Sequence, residues 1–589
     1  MSAGRRRLVG VVLSALLLGL AGCVDVPTSG PVEKISGQEP PCENCVNVEV
    51  SPPVPGEDKA TIVESYLRAN ANYQPNYAVA KQYLTRAAAA KWSPEGSVTI
   101  FADASKEPGQ GNRITLRGKQ VGYLDAFQTY NAQPLTLKKD FTLTREGGEW
   151  RIDTPPAGLF VSQSAFEELY KPYTLYFVGG AGSLVPQSIY LPNLRNPDSI
   201  ATALVKALLK GPSDWLLPAV TSALPAGTAL DVDAVTVVNG VAQVSLTDQV
   251  TGLDDLSRTQ LAAQLVYTLQ QVTGVKKVLV LVRNQPFRVL DSGSGDLAVP
   301  VDGISPGLDP IPSVPAEQLF AVRDGKLGTV SASTDDSDFS AVAGELGGGS
   351  RRIDSLGVSV TNSTVAVVTD GGTVLSQAAS DGGKVTPLLR GVTRLLRPQY
   401  SRDDRLWAVA DRGGRQQMLL VGPQSATPVT VEAMTKGRLL AFRISPDGSR
   451  MAMLITRRGT TTLGLGLIVG TGAATTVTGW RELDTRQTPT GSERRVPAAL
   501  RDVAWTDAST LVVLRQDHYT HRFVPVELPD DASSILPEQP SNGWNARSLT
   551  VLLRTKTALV VTEDQRVLRD DGTSWLDYLR RVAAVAGPG

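Results

Sequence analysis

The chain has 589 residues, with 58 Lys plus Arg against 58 Asp plus Glu, 42% hydrophobic residues and 20% charged ones. That length predicts about three to five domains with ordinary cores. The composition is that of globular protein and excludes both wholesale disorder and a multi-span membrane protein. Balanced charge gives no bulk attraction to nucleic acid, and three cysteines and two histidines leave little for metal or nucleophile chemistry.

At the amino terminus, Arg5-Arg6-Arg7 precede an apolar run of 13 residues, Leu8 to Leu20. The run is too short to cross a bilayer and suits the apolar stretch of a signal peptide. It ends in Leu20-Ala21-Gly22-Cys23, which resembles a bacterial lipobox: small residues for the peptidase, then a sulfur to be alkylated with a diacylglyceryl group. The expectation is a signal peptide at 1–22, lipid attachment at Cys23, and a chain held at the extracytoplasmic face of the cell membrane. Two or three acyl chains anchor stably, at ~0.8 kcal/mol per buried CH₂. Losing the three arginines with residues 1–22 leaves a net charge of −3. Val24, not an acid, follows the cysteine, so an acidic second-position retention signal is absent. No later segment reads as a transmembrane helix.

Residues 23–57 read as an acylated tether, with prolines at 27, 31, 40, 41, 52, 53 and 55, spanning ~30–35 Å as a coil. Within it, Cys42-Glu43-Asn44-Cys45 opens no helix, as a thioredoxin-like redox motif would. Two further zinc ligands are not nearby either. A small disulfide loop between Cys42 and Cys45 is the reading these residues favour.

Residues 58–170 predict an α+β domain. Asp58 can cap a helix carrying Ile62, Tyr66 and Leu67, and a second short helix fits Tyr77–Thr85. Alternating strands follow around Val98 and Ile100, Phe141 and Leu143, and Trp150 and Ile152, the last two joined through Glu146-Gly147-Gly148-Glu149. Helices on a curved antiparallel sheet resemble a cystatin-like or NTF2-like cone. Tyr66, Tyr73, Tyr77 and Tyr83 read as helical core rather than as a binding stripe.

Residues 173–286 predict a second α+β unit. Leu175-Tyr176-Phe177 opens a strand. Asp198 caps a helix carrying Ile200, Leu204 and Leu208, which Gly211-Pro212 stops. Asn239-Gly240 joins two strands as a type I′ hairpin. Ser257 with Gln260 forms a capping box for a helix carrying Leu261, Leu265 and Leu269, and Gly274 precedes the strand Val275–Val282. The order of Leu175-Tyr176-Phe177, Leu208-Leu209-Lys210-Gly211-Pro212, Leu224-Pro225-Ala226-Gly227-Thr228, Val241–Leu246 and Val275-Lys276-Lys277-Val278 resembles the GerMN domain. Arg283-Asn284 departs from the Asp-Gly with which that pattern often ends. The resemblance implies an extracytoplasmic interaction module without catalytic residues, with protein or cell-wall partners.

Proline and glycine dominate residues 287–316, which read as a linker. Residues 317–578 lack helical periodicity and repeat an apolar strand, an Asp-stabilised turn and a second apolar strand. Copies anchor at Val360, Tyr400, Ile444 and Trp505, the third as Phe442-Arg443-Ile444-Ser445-Pro446-Asp447-Gly448-Ser449-Arg450, with an insertion in the last gap. Ser-Pro-Asp-Gly at such a turn resembles TolB-like propellers. Five or six blades are expected, with a β-sandwich as the rival architecture.

Enzyme motifs fail. His518 and His521, read on a strand, point to opposite faces, and no Gly-x-Ser-x-Gly elbow exists. Gly464 to Gly470 has the wrong spacing for a nucleotide loop and reads as a strand edge or bulge. Gly382-Gly383-Lys384 lacks Walker spacing. Arg351-Arg352 and Arg494-Arg495 read as solvated turns. No catalytic, metal-binding or cofactor-binding residue is assigned, and the chain is read as a non-enzyme.

Lipobox, tether, α+β domain, GerMN-like domain and propeller, in this order, resemble the actinobacterial lipoprotein LpqB family over the whole chain. The resemblance implies a partner, the extracytoplasmic sensor region of MtrB, the histidine kinase of the MtrA–MtrB two-component system. It also implies non-catalytic regulation of cell-wall homeostasis and division. A cell-wall glycan binder is the alternative, and a hydrolase with an acid pair in the propeller is a third reading.

Overall fold

The computed structural model describes residues 50–94, 96–290, 295–313, 318–331, 339–486, 496–534 and 543–589. Cys23, Cys42, Cys45 and the Arg494-Arg495 pair lie outside them.

The Asp58 carboxylate accepts the N–H groups of Ala60 (2.8 Å) and Thr61 (3.0 Å), satisfying two of the free donors that begin any helix. Helix α1 (Lys59–Ala71) buries Ile62, Val63 and Tyr66. The helix expected over 77–85 is present but shorter, α2 (Ala78–Gln82), and an additional helix follows it, α3 (Arg86–Lys91). The reason is local. Thr85 turns extended and its hydroxyl caps α3 through Ala88 N–H at 3.1 Å. Strands β1 (Val98–Pro108), β2 (Arg113–Leu124), β3 (Tyr130–Glu146), β4 (Glu149–Thr154) and β5 (Leu159–Ser162) form one sheet in the order 4-3-2-1-5. β5 runs parallel to β1, unlike its neighbours. Tyr66, Tyr77 and Tyr83 are buried, whereas Tyr73 stays exposed with its ring edge on Tyr77.

Helix α4 (Gln163–Leu169), capped by Ser162, leads into the second domain. There, β6 (Tyr170–Gly179), β7 (Leu184–Pro192) and β8 (Val220–Thr221) make one sheet. A second sheet contains β9 (Thr236–Val238), β10 (Val241–Leu246), β11 (Lys277–Val282), β12 (Gln285–Pro286) and β13 (Val299–Pro300). Both helices start earlier than the sequence reading placed them. α5 (Pro197–Lys210) is capped by Asn196, and Asp198 accepts Val237 N–H at 2.8 Å, tying the helix to β9. α6 (Asp255–Leu269) is capped by the Asp254 carboxylate, 2.8 Å from Ser257 N–H; an ionised acceptor outcompetes the serine hydroxyl. Asn239 and Gly240 take φ of 50° and 81° in the expected hairpin. Arg283 and Asn284 build the same left-handed turn at 50° and 61° without a glycine.

The stretch read as a linker belongs largely to this domain. Val299 pairs with Val278, and Val289, Val299 and Leu308 are buried in its core. Proline is compatible with an edge strand because its missing donor faces away from the ladder.

The third domain is a six-bladed propeller, resolving the choice of five or six. The innermost strands of blades 1 to 6 are Val582–Ala586, Ile353–Val358, Gln399–Tyr400, Arg438–Ile444, Leu500–Trp505 and Ala546–Leu552. The anchors at 360, 400, 444 and 505 fall at or just beyond four of these, and the insertion is the segment 484–499. Strand periodicity explains the ring. In blade 2, Val365 and Val367 pack toward blade 1, and Ala366 and Val368 toward blade 3. Each blade thus shares one apolar layer with each neighbour. The ring closes where Phe320 and Ala321 pair with Ala586 and Val585, so the domain runs past 578. Its last strand was missed because Val582–Ala586 completes a blade begun some 260 residues earlier.

Candidate functional site

His518 and His521 sit on the exposed turn between two strands of blade 5, not on a strand as expected. Asp517 at 2.7 Å from Thr520 N–H stabilises that turn instead. Among the described residues no cluster of His, Cys, Asp and Glu is placed to hold a metal ion. Gly464 and Gly466 lie in a blade-4 strand with a bulge between Leu465 and Leu467. A Cβ on Gly464 would come 2.5 Å from the Trp480 ring, so close packing accounts for that glycine.

Chemistry converges in the propeller channel. One mouth opens into a cavity of about 630 Å³, lined by seven arginines and three aspartates. Every blade contributes an arginine on or beside its innermost strand: Arg581, Arg352, Arg397, Arg443, Arg501 and Arg547 for blades 1 to 6. At the rim the pairs are exposed, with Arg352 at 3.2 Å from Asp354 and Arg581 at 3.3 Å from Asp324. Arg351, read as a solvated turn, pairs with Glu345 at 3.2 Å.

Deeper, Arg397 and Arg443 also line the smaller cavity that opens from the other side, so they form the waist of the channel. Arg443 donates to both oxygens of Asp502, at 3.0 and 3.3 Å. Asp502 also accepts Leu549 N–H at 2.9 Å. Arg397 donates only to neutral acceptors, the carbonyls of Leu356 (3.3 Å) and Leu549 (2.8 Å) and the Thr550 hydroxyl (2.8 Å). Sequence reasoning missed these arginines because, though three of their gaps follow the blade repeat, they meet only when the ring closes.

A second charged centre joins the GerMN-like domain to the propeller. In the Ser445–Arg450 turn, Asp447 accepts Ser445 Oγ–H (3.0 Å) and Ser449 N–H (2.9 Å), and its other oxygen takes Arg450 at 2.6 Å. Arg450, fully buried, also reaches Asp530 and the carbonyls of Ala508 and Pro186. From the other side, Ser183 donates to the Asp447 carbonyl at 2.9 Å and Tyr190 to Asp531 at 3.0 Å. Trp215 donates to the Gly479 carbonyl at 2.7 Å under the Arg481 guanidinium, 4.3 Å from its ring. Gly179 permits the approach, since a Cβ there would lie 2.7 Å from Ser449 Oγ. Residues Val50–Gly589 accordingly form one compact unit.

The three domains correspond to three family models. One described as "Lipoprotein LpqB, N-terminal domain" matches residues 52–167, one described as "Sporulation and spore germination" matches 174–287, and one described as "Lipoprotein LpqB beta-propeller domain" matches 328–588. The chain belongs to the LpqB lipoprotein family. A Lipoprotein LpqB of Cutibacterium acnes is 28% identical, with 98% of both chains covered. One of Streptomyces avermitilis is 29% identical over 79% of this chain and 80% of its own. Among solved structures, the first GerMN domain of the Bacillus subtilis sporulation protein GerM is 21% identical over 20% of this chain and 86% of its own, with a TM-score of 0.17. The propeller match reaches residue 588 and so includes the closing strand of the LpqB propeller. No helix among the described residues is long and apolar enough to cross a membrane, which fits the lipid anchoring that the relatives' name denotes.

Proposed function

We propose that the protein is a lipid-anchored accessory protein of the extracytoplasmic membrane face that works by binding, and that its partner is the sensor region of an MtrB-like histidine kinase. The observation that carries this reading is the hydrogen-bonded junction around Arg450, which ties the GerMN-like domain to the propeller within one compact unit. A binder shifts a two-state partner only by the difference in its affinity for the two states. Two surfaces tied together by such contacts can tell those states apart. The lipobox at 20–23 supports confinement to one membrane face, where acylation of Cys23 raises the effective concentration of the partner.

Binding is favoured over hydrolysis by the channel lining. It holds no histidine or cysteine, and Asp324, Asp354 and Asp502 are each ion-paired to an arginine rather than free to act as an acid.

The test is crosslinking and pull-down from intact membranes with the full lipoprotein, read by mass spectrometry, with Cys23→Ala as the control. A sensor kinase should be recovered with the wild type and lost with Cys23→Ala, which should leave the membrane fraction while remaining folded. Recovery of wall glycan alone, or of nothing, would overturn the kinase reading; glycan alone would instead favour the glycan-binding alternative.

A further inference from the structure

The channel mouth carries more positive charge than its own carboxylates neutralise, and the surplus runs from its waist to its exposed wall. At the waist, Arg397 and Arg443 share the single carboxylate of Asp502. One step outward, Arg501 and Arg547 share Glu563, which lies 3.0 Å from Arg501. Arg547 donates its own hydrogen bond to the Ala583 carbonyl. Among the described residues these two pairs of guanidinium groups have two carboxylates between them. Burial and then the neighbouring Arg443 push Arg397 down to about 9, with Asp502 pulling against them. Arginine does not give up its proton in a protein, so the surplus persists as charge. A low-dielectric channel focuses such a field toward its axis, and the cavity's volume is within the range that encloses a small ligand.

We propose that this mouth is a binding site for a small oxyanion bearing at least two negative charges, held by the guanidinium groups of Arg397, Arg443, Arg501 and Arg547. Planar guanidinium forks match the paired oxygens of phosphate and carboxylate, and two such charges restore neutrality to the two shared pairs. The ligand is a free metabolite or the exposed end of a phosphorylated or carboxylated glycan; the chemistry recognised is the same. The inference stands apart from the kinase reading, since a site for an oxyanion does not depend on which protein the body binds.

The experiment is calorimetric titration of the full-length chain in detergent at 50 mM NaCl with pyrophosphate, and with citrate as the carboxylate arm. Saturable binding is expected, weakening as salt is raised, and falling at least tenfold in Arg397→Gln. Arg547→Gln, at a half-exposed position that any folded form tolerates, should weaken binding as well and keeps the test valid if Arg397→Gln does not fold. Response to pyrophosphate alone assigns a phosphate ligand, and response to both probes assigns a general oxyanion site. No saturable heat with either probe, or binding that survives Arg547→Gln unchanged, would overturn the proposal.

Discussion

Arg450 and Arg397 are both propeller arginines withdrawn from solvent, yet their surroundings have opposite charge. Arg450 is fully buried against the carboxylates of Asp447 and Asp530, with Asp531 and a second cation, Arg481, beside them, and only a small cavity of about 20 Å³ adjoins it. Arg397 is one of two cations against Asp502 and faces an open cavity. A buried arginine with carboxylates to spare is a fastener: the charges that neutralise it are already in place. One with too few carboxylates, next to open volume, is half of an interaction. Charge balance and free space, taken together, separate structural from binding arginines where burial alone does not.

The comparison is broken most directly by removing the two side chains in turn. Arg450→Met leaves buried carboxylates unpaired and should cost about 3–5 kcal/mol in urea unfolding. Arg397→Met removes an under-neutralised charge together with its three hydrogen bonds to neutral acceptors, and should cost less, about 1–2 kcal/mol. Equal costs would mean that Arg397 is a fastener too. The surplus of acid around Arg450 gives a pH signature. Burial pushes Asp530 up to about 7 against the pull of Arg450, with Asp531 and Asp447 adding to the rise. A carboxyl raised above its unfolded value binds its proton more tightly in the folded form. Stability from Asp530 is therefore present at low pH and lost as pH rises through about 7. The melting temperature should be higher at pH 5.5 than at pH 8, and Asp530→Asn should flatten that slope; an unchanged slope in the variant would refute it. At the small end, Arg352→Ala removes a rim pair whose arginine is 88% exposed, and should change unfolding by less than about 0.5 kcal/mol.

Domain order and the repeat were legible because they rest on local patterns: the Asp58 cap, the Asn239-Gly240 turn, and the apolar alternation around 360, 400, 444 and 505. What was not legible depends on distant partners. Val299 lies among prolines and glycines and becomes a strand residue only because Val278 offers an edge. Ser445–Arg450 was recognised as a blade turn, but that Arg450 fastens two domains follows from Asp530, Pro186 and Ala508, far away in sequence. The channel arginines are the extreme case. Arg397 and Arg443 are as far apart in sequence as Arg501 and Arg547, one blade each, but that spacing does not show that they face one axis, and Arg351-Arg352 read as surface because a mouth rim and a solvated turn have the same composition. The candidate site was therefore invisible from sequence, while the scaffold that assembles it was not.

The ring's closure has a consequence for how the chain comes into being. Strand Gln318–Arg323 waits for Val582–Ala586, synthesised some 260 residues later, before its inner edge is covered. Until then the first blade exposes unpaired backbone groups, the kind of edge on which chains pair with one another. The arginines of the channel likewise have no common axis to face. Ligand capture, ring integrity and protection from aggregation thus arrive in a single event, and a chain without Val582–Ala586 forfeits all three at once.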